Sequence, residues 1–80
     1  MYQVKVIKHI FTDTNLLGKK CPRGVIITTA QIEVNKELLT IEFEDIVIRQ
    51  DGEIVSGEYD AENKLFTPQE ILNKSKKTQK

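Results

Sequence analysis

The chain has no tryptophan, one cysteine, one histidine, two prolines and five aromatic rings in 80 residues, and each shortage closes off a class of protein. A lone Cys21 cannot form an internal disulfide, and it excludes four-thiolate zinc sites within one chain. No apolar run approaches the ~18 residues that a membrane-spanning helix needs. The N-terminal Met-Tyr-Gln-Val-Lys-Val lacks the basic and then apolar regions of a secretion signal. The expectation is a cytoplasmic protein without a membrane partner, so Asn73-Lys74-Ser75 reads as a chance match to a glycosylation sequon.

Alanine is also scarce, with two residues, whereas isoleucine and lysine each occur ten times. Beta-branched side chains suit pleated strands better than helices, and the same bias fits an AT-rich bacterial or phage genome. Hydrophobic residues make up 39% and charged residues 30%, too apolar for disorder and enough for one small core. A single domain over residues 1–73 is expected, followed at residues 74–80 by a basic, flexible tail.

Net charge is zero, but the signs are segregated. Residues 1–36 carry six basic and two acidic side chains; residues 37–73 carry two basic and ten acidic ones. If that separation survives folding, one face attracts anions and another attracts cations. If the strands fold back on one another, the charges interleave.

Tyr2, Val4 and Val6 alternate with Gln3 and Lys5, the period of a half-buried strand, and the slip at Ile7-Lys8 predicts a bulge. Gly18, Pro22 and Gly24 punctuate Thr12 to Gly24 as a long loop. The next segment can be tested by register. With Asn35-Lys36 as a two-residue turn, Ile32 faces Leu39, Ala30 faces Ile41 and Thr28 faces Phe43, while Gln31, Thr40, Thr29 and Glu42 share the solvated side. Asp45 then falls at a core position, so a bulge or bend is expected at Glu44-Asp45. Asp51-Gly52 predicts a second hairpin, with Ile48 opposite Val55, Ile46 opposite Gly57 and Tyr59 on the same face. Thr67-Pro68-Gln69-Glu70 reads as an N-cap, a first-turn proline and a capping-box glutamate, which starts a short helix over about 67–73 with Phe66 stapled to Ile71. The expected fold is mostly β with one short C-terminal α-helix: a small antiparallel meander or rolled sheet, SH3-like in general build.

No residue pattern indicates catalysis. His9 has no recognisable nucleophile at a set spacing; Ser56 and Ser75 lack an elbow motif, and a Cys21–His9 pair would need tertiary proximity. Gly18-Lys19-Lys20-Cys21-Pro22-Arg23-Gly24 has the glycines and lysines of a phosphate loop. A Walker loop needs lysine and serine or threonine after its second glycine, however, where Val25 and Ile26 stand. Asp60-Ala61-Glu62-Asn63-Lys64 lacks the sixth-position glycine of a calcium loop. No cofactor or metal is expected.

The function expected is therefore binding: a small non-enzymatic protein-binding or regulatory accessory module. Its candidate surfaces are a cationic loop at Lys19, Lys20 and Arg23 and an acidic strand face at Glu42, Glu44, Glu53 and Glu58. The first alternative is a nucleic-acid-binding barrel using that loop and the lysine tail; the second is an acidic inhibitor that mimics nucleic acid. With so few residues, little volume is expected for a ligand cavity of ~300 Å³, which favours flat, charged recognition.

Overall fold

A computed structural model describes the backbone of residues 1–78 and the side chains of residues 1–73. The elements run β1 (Tyr2–Thr14), β2 (Lys20–Val34), β3 (Glu37–Asp45), β4 (Ile54–Asp60), β5 (Leu65–Pro68) and α1 (Gln69–Thr78). All five strands pair antiparallel in one sheet of order β3-β2-β1-β4-β5. The mostly β fold with a C-terminal helix is as the sequence predicts.

Local rules set the β2–β3 hairpin. Asn35 and Lys36 both adopt positive φ, 52° and 67°, as a type I′ turn demands. Ile32 pairs with Leu39, Ala30 with Ile41 and Thr28 with Phe43, the register expected from alternation. Ile32, Ala30, Ile41, Thr28 and Phe43 are buried, whereas Thr40 and Glu42 are exposed. Leu39, three pairs from the turn, is more exposed than its partner. The bulge at Ile7 is also present, as a register shift between Val6 and Lys8.

Val4, Val6, Ala30, Ile32, Ile41, Phe43, Val55 and Phe66 make the core. The Phe43 and Phe66 rings lie 4.9 Å apart and join β3 to β5, the two ends of the strand order. The sheet therefore rolls until its edges meet through side chains, but no backbone ladder joins those edges. The roll is SH3-like in general build, and it remains an unclosed sheet.

Gly57 makes the β4–β5 approach possible. A Cβ there would lie 2.2 Å from the Thr67 carbonyl oxygen and 2.7 Å from Cζ of Phe66. The intervening turn is closed by Asp60, whose Oδ1 accepts from the Glu62 and Asn63 amides at 3.0 and 3.3 Å and whose Oδ2 accepts from Asn63 Nδ2 at 2.8 Å. The bonds from Asn63 hold the Asp60 carboxyl below its ordinary range.

Four expectations are corrected. Thr12 to Gly24 is not a long loop: β1 and β2 continue as a two-stranded ribbon, and only Asn15–Lys19 turns. Asn15 Oδ1 accepts from the amides of Leu17 and Lys19 at 3.0 and 2.9 Å, while Gly24, at φ 88°, and Pro22 are tolerated on an edge that needs no further ladder. The second hairpin does not form. Only Gly52 of the Asp51-Gly52 pair has positive φ, and β4 pairs with β1, Val55 opposite Val4 and Gly57 opposite Tyr2. The strand is not re-aimed at Glu44-Asp45: β3 ends with Asp45 buried at its core position, and the chain bends just beyond it, at Ile46-Val47, and leaves the sheet. Finally, Thr67 is not a helix cap. It lies in β5 opposite Glu58, and the helix starts at Gln69 and continues to Thr78, past the expected end at residue 73. The side chains of the predicted tail, 74–80, lie outside the described residues.

Candidate functional site

Asp45 explains why β3 stops. Its side chain is fully buried and its carboxylate accepts four hydrogen bonds: from Thr28 Oγ1 at 3.1 Å, the Ile46 amide at 2.9 Å, and Arg49 Nε and Nη2 at 2.9 and 3.1 Å. This two-pronged guanidinium contact satisfies a charge that would otherwise be costly to bury. The remaining donors of Arg49 reach Glu70 on α1, Nη1 to Oε2 and Nη2 to Oε1 at 3.0 Å each, and Glu53 Oε2 at 3.4 Å. Arg49 in turn holds the Glu70 carboxyl below its usual range, and the two acidic partners Asp45 and Glu70 strengthen the hold of Arg49 on its own proton.

This clasp decides the path of the chain. It draws residues 46–50 off the β3 edge, and the chain then reaches β1, where the Val6 amide donates to the Glu53 carbonyl at 2.9 Å and the Gly52 amide to the Val6 carbonyl at 2.7 Å. Ile46, Val47 and Ile48, expected to pair in a hairpin, are left exposed instead. Both oxygens of Asp45 are committed to structural bonds, so this carboxylate is held as a fold-closing group.

The more open feature lies along the seam where β3 and β5 approach without pairing. A groove of about 350 Å³ is lined by Leu16 and Leu17 of the ribbon turn, Glu44 of β3, Leu65, Phe66, Thr67 and Pro68 of β5, and Ile71 of α1. Its walls are almost wholly apolar. Residue alternation accounts for part of the lining: Phe43 faces the core, so Glu44 faces outward from β3, and Leu65 and Thr67 face outward from β5, while the buried Phe66 and Pro68 also border the groove because β3 and β5 do not pair there. The expectation of little volume for a recess of this size is corrected by the groove. Its volume is found between elements and not inside the core.

The expected charged surfaces are only partly assembled. Lys19, Lys20 and Arg23 are exposed together at the end of the ribbon. Glu42 and Glu44 share the outward face of β3. Glu53 is drawn into the clasp, where its Oε1 also accepts from the Gln50 amide at 3.0 Å, and Glu58 stands on β4 opposite Thr67. The signs also interleave: Lys8 and Glu42 flank Thr29 on one rung. Among the described residues, all ion pairs involve Arg49.

His9 and Cys21 do not form a pair. His9 lies opposite Thr28, while Cys21 adjoins Lys20, which lies opposite Thr14; five residues along an extended strand span ~16 Å. His9 Nδ1 is buried without a hydrogen-bond partner, and Cys21 Sγ approaches the Lys19 carbonyl at 3.8 Å. No cluster of three or more histidine, cysteine, aspartate or glutamate side chains suited to a metal occurs among the described residues. No helix among them is long and apolar enough to cross a membrane. Comparison with protein families, characterised proteins and solved structures finds no match.

The clasp and the groove were both missed by sequence reasoning. The clasp had a signal, an aspartate at a core-facing strand position with an arginine four residues on. The groove had a fainter one, a Leu-Leu pair at the centre of a polar turn.

Proposed function

We propose that this protein is a non-enzymatic protein-binding module, cytoplasmic and of bacterial or phage origin, that takes an apolar side chain of its partner into the seam groove. The observation that carries the reading is the groove itself: five aliphatic or aromatic side chains and a proline around about 350 Å³, open to solvent. An apolar concavity at the surface costs free energy unless something covers it, and large exposed apolar patches on small soluble proteins mark interaction sites. Leu17, 87% exposed, and Leu65, 51% exposed, stand at the groove. The expected charged residues then serve as the rim and not as the whole recognition surface.

The nucleic-acid reading keeps one specific observation. Phe11 is 70% exposed, its ring lying over Gly24, on the same ribbon as Lys19, Lys20 and Arg23, and an exposed aromatic beside cations suits base stacking. The acidic-mimic reading is weaker, because Glu53 is engaged by Arg49 and Glu58 stands on a different strand from Glu42 and Glu44.

The test is selection of binders from a displayed peptide library, scored on wild type and on Leu65→Glu. Groove binding requires ligands whose affinity drops about tenfold or more in the variant. Selection that returns no such ligand, together with tight salt-sensitive binding of labelled single-stranded DNA or RNA whose log affinity falls by ~0.7 per phosphate contact per decade of salt, would replace this reading with the nucleic-acid one.

A further inference from the structure

Glu44 is the charged residue of the groove lining, and the residues that adjoin its walls along the chain carry charges of both signs that do not meet within the chain. On the ribbon side, Lys19 and Lys20 follow Leu17 by two and three residues and are exposed. On the β3 side, Glu44 lines the groove and Glu42 shares its outward face. No ion pair within 4.0 Å joins these lysines to these glutamates among the described residues.

This arrangement selects among occupants. A basic peptide laid across the groove would meet Lys19 and Lys20, an acidic peptide would meet Glu42 and Glu44, and a polyanion would be repelled by the same glutamates. The best complement carries both signs on either side of an apolar centre. The chain itself is such a ligand: a patch with cations on one bank and carboxylates on the other matches its own copy rotated by a half turn, as isologous pairing requires. A net charge of zero removes long-range repulsion between copies.

Resting on the protein-binding reading above, we infer that the partner is a second copy of this chain, in an isologous dimer. Leu17 of each copy enters the groove of the other, and Lys19 and Lys20 of each face Glu42 and Glu44 of the other. Leu17 is suited to this because it stands at the rim almost fully in water, and its burial needs no rearrangement of the core.

Charge-swapped variants measured by sedimentation equilibrium from ~5 to ~500 μM chain decide the matter, a range set for interfaces of modest size. Wild type should move toward twice its 9.2 kDa mass as concentration rises. Lys19→Glu with Lys20→Glu makes both banks acidic, and Glu42→Lys with Glu44→Lys makes both basic. Each variant alone should associate at least about tenfold more weakly than wild type, while an equimolar mixture of the two should associate again as a heterodimer. Leu17→Asp should be monomeric, and its exposure means that folding is spared.

A wild type that stays monomeric to the highest concentration overturns the inference, as does a dimer that survives Leu17→Asp or a mixture no tighter than its components. A monomeric wild type that still binds selected peptides through Leu65 would refute the dimer alone and leave the protein-binding reading in place. Failure of both experiments would remove both.

Discussion

Arg49→Met tests whether the clasp carries the fold. The substitution keeps an unbranched side chain of comparable length and removes all five guanidinium hydrogen bonds, two to Asp45, two to Glu70 and one to Glu53. Thr28 Oγ1 and the Ile46 amide still donate to Asp45, but the carboxylate is left buried with its charge unbalanced, at a cost of ~3 to 5 kcal/mol. The Glu70 contact adds less, below ~1 kcal/mol, because that side chain is 48% exposed. A chain of this size has a total stability of ~4 to 12 kcal/mol, so the variant should be marginal or unfolded. Asp45→Asn added to Arg49→Met removes the stranded charge and keeps an acceptor for Thr28, and should recover at least half of the loss. Urea unfolding followed by far-ultraviolet circular dichroism gives both numbers. The pH dependence has a definite sign. Glu70 titrates lower in the folded chain than its ordinary ~4.3, so its contribution is present above that value and lost as pH falls through the folded one. Arg49→Met lacks the contribution at every pH, and the gap to wild type should narrow on acidification below about pH 4.5. A loss under ~1 kcal/mol for Arg49→Met at neutral pH, or no recovery in the double variant, would show that the buried pair does not close this fold.

Phe43→Ala should cost ~3 to 5 kcal/mol, since the ring is fully buried and touches Phe66 across the seam; Thr40→Ala on the opposite face should fall within ~0.5 kcal/mol of wild type by the same urea titration. Gly57→Ala should destabilise by more than ~1 kcal/mol, because its methyl meets the Thr67 carbonyl at 2.2 Å; a neutral result would mean that β5 is free to move away. Lys36→Gly should raise the thermal midpoint, because it relieves a left-handed residue at φ 67° at a gain of up to ~1 kcal/mol. A lower midpoint would show that Lys36 makes a contact that outweighs its backbone strain.

How far the structure was legible follows the range of the interactions involved. The β2–β3 hairpin could be read in advance because one turn dipeptide and one alternation pattern, both within residues 26–45, determine every pair in it. The same local rules applied to Asp51-Gly52 proposed a hairpin that does not exist. There, a strand over residues 46–50 would have competed for β4 against Tyr2–Lys5 of β1, which sits some fifty residues away in sequence and takes the place. The deciding residue is Asp45: its core-facing position needs a cation, Arg49 supplies one only if the chain leaves the β3 plane, and leaving that plane frees β4 to pair with β1. Helix onset fails in the same way, because Thr67 and Pro68 are taken by β5 and the Glu70 carboxylate by Arg49. The groove lies at the far end of this scale. Its walls come from the ribbon turn, β3, β5 and α1, segments that span residues 16 to 71, and none of them is concave alone. What creates the concavity is a mismatch between two long-range contacts. Phe43 and Phe66 pull β3 and β5 together from inside, while the absence of a ladder leaves their outward faces apart. A sheet that closed fully would fill the seam with backbone hydrogen bonds and leave no recess. The unclosed edge is thus the structural condition for this apolar recess, and a disulfide or strand extension that zipped β3 to β5 should abolish binding at Leu17 and Leu65 while raising stability.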